Sequence, residues 1–203
     1  MSMGRGNETP SPVTARVEGG LDGGRLTSER ALVQLAFDCG QHLLSAGAMI
    51  VTAESCTGGM IARALTERAG SSAWFDRGFV TYSNAAKQAQ LGVSASVLDA
   101  HGAVSEAVAA QMARGALAAL GPAVPALALA VTGIAGPGGA VPGKPVGTVC
   151  FGWAGRAARG AAPWCTTDTQ HWPGDRDAVR MAAAQHALTE GLRWWDCPPE
   201  LVP

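Results

Sequence analysis

The chain has 203 residues, enough for one domain of ordinary size plus a tail, and its 47% hydrophobic and 15% charged content allows a sizeable core. A net charge of −1 with no run of Lys and Arg argues against a nucleic-acid or anionic-membrane binder, since both need a basic excess. The five cysteines (Cys39, Cys56, Cys150, Cys165, Cys197) form no CxxC, the four histidines are scattered, and no apolar run reaches the roughly 20 residues of a membrane span. The expectation is a soluble cytoplasmic protein with reduced thiols, no metal site and no signal peptide.

Residues 1–26 are rich in Gly, Pro, Ser and Thr without periodicity, and a flexible tail is expected there. From Thr27 the apolar residues Leu32, Leu35, Ala36, Cys39 and Leu43 recur at helical spacing, with Thr27 or Ser28 available as N-cap and a stop near Gly47. Met49 to Ala53 reads as a strand, Glu54 to Gly59 as a turn, and Met60 to Arg68 as a helix. A second strand is predicted from Gly78 to Tyr82, then a short helical turn capped by Asn84 and carrying Lys87. Alanine-rich Ser105 to Leu120 predicts a long helix closing at Gly121-Pro122. A buried strand over Leu127–Thr132 runs into a glycine run, Gly133 to Gly139. Strands over Val146–Trp153 and Cys165–Gln170 follow, and a last helix over Asp175–Trp195 ends before Pro198-Pro199.

Helices alternating with buried strands and no internal repeat predict an α/β fold: a single-domain three-layer α/β/α sandwich over residues 27–196, with 197–203 as a second tail. Ligands of such sheets bind where loops leave the carboxyl ends of strands, and three candidate motifs fall there.

The first motif is Thr52-Ala53-Glu54-Ser55-Cys56-Thr57-Gly58-Gly59. A serine between a strand and a helix start sits near free backbone N–H groups that suit an oxyanion, and the glycines let a substrate approach the backbone. The plainer reading has Ser55 or Thr57 simply capping the helix. Cys56 is a rival nucleophile, because a helix N-terminus lowers thiol pKa, but a cysteine nucleophile wants a histidine base and none lies nearby in sequence, so a packed small residue fits it better.

The second motif runs from Gly78 to Lys87. Tyr82 is the only tyrosine, and Lys87 and Lys144 are the only lysines, in a chain whose basic residue is otherwise Arg. Buried and neutral, Lys87 would serve as a base for a serine; otherwise it is a solvated lysine on a helix face. The glycine run after Thr132 matches neither a Walker loop nor a GxGxxG fingerprint, and either cradles a phosphate or makes a wide turn. In Gly174-Asp175-Arg176-Asp177-Ala178-Val179-Arg180, Asp175 reads as a cap. Arg180 reads as a surface residue, and Arg176 as either a surface residue or an anion contact.

The strings TAESCTGG, GSSAWFDRGFVTYSNAAK, GAVSEAVAAQMARGA, TGIAGPGG, KPVGTV and PGDRDAVR, in order from Ser28 to Trp195, closely resemble the nicotinamide-nucleotide amidase family of the stand-alone PncC type. That family is similar to the C-terminal domain of competence/damage-inducible CinA proteins. The resemblance implies hydrolysis of nicotinamide mononucleotide to nicotinate mononucleotide and ammonia, in pyridine-nucleotide salvage, with no metal or organic cofactor. It places the catalytic residues on Ser55, Tyr82 and Lys87. It places substrate contacts on Thr132, Gly133, Gly136 and Arg176, beside the turn residues Glu54, Cys56, Thr57 and Gly58. Trp172 stands where the family often has phenylalanine, and the loop from Gly139 to Gly143 lacks the family's usual polar residues. Expected partners are a nucleotide substrate and a second copy in a homodimer, with neither nucleic acid nor membrane. A non-catalytic nucleotide-binding module, or an amidohydrolase for a different amide, are the alternatives.

Overall fold

The computed structural model describes residues 22–199. The tail expected over residues 1–26 lies mostly outside that range, but the first helix, α1 (Asp22–Ser45), begins at Asp22, ahead of the expected caps Thr27 and Ser28. The remaining α-helices and strands are β1 (Met49–Glu54), α2 (Met60–Thr66), β2 (Phe75–Val80), α3 (Asn84–Leu91), α4 (Ala95–His101), α5 (Glu106–Ala118), β3 (Ala126–Gly133), β4 (Thr148–Arg156), β5 (Trp164–His171) and α6 (Arg176–Asp196), with a short 3-10 turn over Ser71–Ala73 before β2. None of these helices is long and apolar enough to cross a membrane.

One five-stranded sheet has the order β2-β1-β3-β4-β5. β1 pairs in parallel with β2 and β3, while β4 runs antiparallel to both β3 and β5. β1 is the switch point: the chain leaves it to build β2 on one side and returns to build β3 on the other. Its carboxyl end therefore opens a crevice between two diverging connections, where ligands of α/β sheets bind.

Alternation in β3 shows how sequence sets the layers. Leu127, Leu129 and Val131 join Ile50, Phe151 and Trp153 in the core under α1, α2 and α6, while Ala126, Ala128 and Ala130 face α5 with Val51 and Ala53. Each buried leucine or isoleucine contributes about 1.5–3 kcal/mol. The small residues on the α5 face bring that helix against the sheet: a Cβ on Gly152 would lie 2.4 Å from the Ala109 carbonyl oxygen.

The predicted strands and long helices are present, with shifted edges. β2 starts at Phe75 and ends at Val80, earlier than the predicted Gly78–Tyr82, because it is a solvent-facing edge without clean alternation. Ser83, not Asn84, caps α3 by accepting from the Ala86 N–H at 3.1 Å. Ser105 and Asp175 cap α5 and α6. α4 went unpredicted: it offers a single buried side chain, Leu98, and one apolar contact leaves no period to read.

Gly152→Ala should overpack the α5–β4 contact and cost about 1–3 kcal/mol. Thermal unfolding should fall by roughly 3–10 °C, read by circular dichroism.

Candidate active site

Three strand ends meet at the crevice. β1 delivers Glu54 and Ser55, β2 leads to Thr81 and Tyr82, and β3 ends at Thr132 and Gly133. α6 enters the same edge with its N-terminus, because β5 runs parallel to β3 and feeds it.

Successive residues of an extended strand point to opposite faces. Ile50 lies under α1, α2 and α6, so Glu54 belongs to that face, while Ser55 follows Val51 and Ala53 toward the layer that contains α3. There it meets Lys87, whose Nζ lies 3.0 Å from Ser55 Oγ and donates to the Thr81 carbonyl at 2.8 Å. Lys87 is not a solvated helix residue: only 1% of it is exposed. Burial lowers its pKa from the ordinary 10.5, because the charged ammonium has lost its water. A neutral amine at this distance can take the hydroxyl proton.

Neither Ser55 nor Thr57 caps α2. Glu54 does so from across the turn: its carboxylate accepts from the N–H groups of Gly59 (3.0 Å), Ile61 (3.2 Å) and Ala62 (2.8 Å). A fully buried carboxylate so occupied satisfies orphan donors and the helix dipole, and the expectation of Glu54 as a substrate contact gives way to this structural role. Gly58 and Gly59 follow with φ of +61° and +90°, a region costly for residues with a side chain, which explains their pairing here. The Gly58 N–H closes the turn onto the Ser55 carbonyl at 3.0 Å. The N–H groups of Cys56 and Thr57, the two residues that follow the serine, donate to no other residue among those described.

Cys56 is buried, and burial pushes its thiol up to about 12. The helix-start lowering considered from sequence is outweighed by desolvation, and Cys56 is a packed thiol rather than a thiolate.

Tyr82 lies apart from the serine–lysine pair. It is 59% exposed, and its hydroxyl accepts from Arg176 Nη2 at 2.7 Å. Arg176 Nη1 donates to the Gly136 carbonyl at 2.8 Å. These three residues bridge the β2 end, the glycine loop and the α6 N-terminus across the mouth of the crevice. Thr132 points its hydroxyl at the Ala103 carbonyl, 2.8 Å away, and so ties β3 to the α4–α5 connection. Gly133 is required by packing, since a Cβ there would lie 2.8 Å from the Thr148 carbonyl oxygen. Lys144 holds the loop beyond Gly139 by donating to the His101 carbonyl at 2.8 Å.

Arg180 is the residue that sequence reasoning misplaced. Rather than facing solvent, it donates from Nε to the Cys56 carbonyl at 3.2 Å and from Nη2 to the Thr57 carbonyl at 2.8 Å. Its spacing of four from Arg176 was the available signal: both project from the same face of the α6 N-terminus.

The family described as the CinA C-terminal domain matches residues 32–193. The chain belongs to that family. Its relatives include the nicotinamide-nucleotide amidohydrolase PncC of Enterobacter agglomerans, 53% identical over 82% of this chain and 96% of that protein. PncC of Escherichia coli K12 is 50% identical over 79% and 93%. Among solved structures of the CinA superfamily, the competence damage-inducible protein A of Klebsiella pneumoniae superposes with a TM-score of 0.74, at 37% identity, covering 83% of this chain and 99% of that one. CihA of Agrobacterium tumefaciens gives 0.70 at 44% identity, covering 80% and 94%.

Glu54→Gln keeps the shape but replaces charge-assisted bonds at the α2 start and turns an N–H₂ toward other donors. It should cost about 1–3 kcal/mol, seen as a lower midpoint in urea unfolding with an unchanged slope.

Proposed function

We propose that this chain hydrolyses the carboxamide of nicotinamide mononucleotide to nicotinate mononucleotide and ammonia, as part of pyridine-nucleotide salvage. The observation that carries the reading is the 3.0 Å contact between Ser55 Oγ and the buried amine of Lys87. Its support from kinship is the high identity to PncC proteins over most of both chains.

In the proposed reaction, neutral Lys87 takes the Ser55 hydroxyl proton as Oγ bonds to the carboxamide carbon. The carbonyl electron pair moves onto oxygen, which the Cys56 and Thr57 N–H groups receive. Collapse breaks the C–N bond, and the nitrogen leaves as ammonia with the proton returned from Lys87. Water then gives a proton to Lys87 and its oxygen to the ester carbon. Ser55 leaves with that proton, and nicotinate mononucleotide is released.

Tyr82 makes no hydrogen bond to Ser55 or Lys87 among the described residues, so a proton relay through it is set aside in favour of direct transfer. Tyr82 and Arg176 are assigned to the nucleotide instead, with Arg176 and the glycine loop at Gly136 receiving the phosphate.

Ammonia release by purified protein given nicotinamide mononucleotide is the first test, with Ser55→Ala expected to abolish it. Release that persists in that variant removes Ser55 as nucleophile. No release from wild type moves the substrate to another amide, or the protein to a binding role. Lys87→Arg should fall to near background, because guanidinium stays charged. In wild type, kcat/KM should rise with pH as Lys87 deprotonates, with a midpoint below the ordinary lysine value of 10.5. A Tyr82→Phe variant should raise KM by roughly fivefold, the worth of one hydrogen bond, and leave most of kcat.

A further inference from the structure

The turn behind Ser55 is held by opposite charges, one at the end of β1 and one reaching from α6. Glu54 takes the N–H groups that begin α2, and Arg180, from α6, takes the carbonyls of Cys56 and Thr57. The second grip bears on the reaction because of peptide geometry. The only cis peptide among the described residues is Gly136-Pro137, so the Cys56–Thr57 and Thr57–Gly58 bonds are trans. In a trans peptide the C=O and N–H point in opposite directions within one plane. Holding the Cys56 carbonyl toward α6 therefore turns the Thr57 N–H away from α6, toward the face where Ser55 meets Lys87. Holding the Thr57 carbonyl likewise turns the Gly58 N–H away, and that group closes the turn on the Ser55 carbonyl at 3.0 Å.

We propose that Arg180 is a positioning residue for the oxyanion site: through the Cys56 carbonyl it fixes the peptide plane that aims the free Thr57 N–H at the reacting oxygen, and through the Thr57 carbonyl it holds the plane whose Gly58 N–H closes the turn on Ser55. The inference rests on the serine-amidase reading above. Arg180 touches no reacting atom. It acts by sparing the Cys56–Thr57 peptide from reorienting as charge develops, and its cation polarises that peptide so that the N–H becomes a better donor. A guanidinium suits the task because one planar fork reaches two successive carbonyls; an ammonium lacks that fixed geometry. Arg176, one turn earlier, reaches instead to Tyr82 and Gly136, so the two arginines divide between the mouth of the crevice and its floor.

The test is steady-state ammonia release from nicotinamide mononucleotide by wild type, Arg180→Ala, Arg180→Lys and Ser55→Ala, with thermal unfolding of each. Arg180→Ala should lower kcat by about 100-fold, the scale of losing one oxyanion donor, with KM changed less than about threefold. Added guanidinium ion should restore part of kcat in that variant and none in Ser55→Ala. Arg180→Lys should fold and lose roughly tenfold in kcat; if Arg180→Ala fails to fold, this variant decides, and an unchanged kcat overturns the proposal. A loss confined to KM, or a kcat for Arg180→Ala within about threefold of wild type, also overturns it. If wild type is inactive or Ser55→Ala remains active, the serine reading itself fails. If Ser55→Ala is dead while the arginine variants keep their kcat, only the role of Arg180 fails.

Discussion

A lysine amine kept out of water beside a serine is the constraint around which the crevice is built. Burial disfavours the ammonium, so the native chain releases a proton that the unfolded chain retains. Between the lowered native pKa and the ordinary 10.5, the unfolded state binds more protons, and this group's contribution to stability rises with pH. Near neutrality Lys87 therefore burdens the fold, and other contacts must offset it. The Thr81 carbonyl is one, accepting from Nζ at 2.8 Å. The wider compensation comes from the two aliphatic and aromatic cores on either side of the sheet, which leave room for one strained centre.

The order of strands explains why this centre sits where it does. Because β1 lies between β2 and β3, with all three parallel, one edge of the sheet gathers their three carboxyl ends. Lys87 and Ser55 are 32 residues apart in sequence and meet because the β1–β2 crossover returns the chain to the same edge. Arg180 comes from 123 residues beyond Thr57, delivered by the antiparallel pair β4 and β5. Parallel and antiparallel halves of the sheet thus make separate contributions: one brings Ser55 and Lys87 together, and the other brings the helix whose Arg180 binds the turn after Ser55.

Much of this was legible in the sequence, and the limits are physical. Strand β1, its turn and the helix after it could be read from a β-branched run followed by paired glycines. β3 could be read from its apolar run. Ser55 and Lys87 stood out because a serine at a helix start and a rare lysine are chemically specific. Arg180 did not, and Glu54 was read as a substrate contact, because only the third dimension shows which backbone groups a charged residue near a turn meets. Tyr82 was carried into the catalytic set by the family resemblance, whereas in the fold β2 ends at Val80 and the Tyr82 hydroxyl accepts from Arg176. α4 was invisible for want of a repeating apolar face.

The strip of alanines and glycines between α5 and the sheet has a consequence for how such a protein can change over evolutionary time. With the Ala109 backbone close enough to exclude even a methyl group from Gly152, the distance between these two layers is set by the backbones themselves. Side-chain variation at this seam is nearly closed, since any enlargement must displace a whole helix. Loops that pack against no layer carry no such restriction, and the segment from Gly138 to Gly143 is largely exposed. A lineage acquiring a new amide would therefore rewrite those loops over an unchanging chassis, and the same chassis would outlast many changes of substrate.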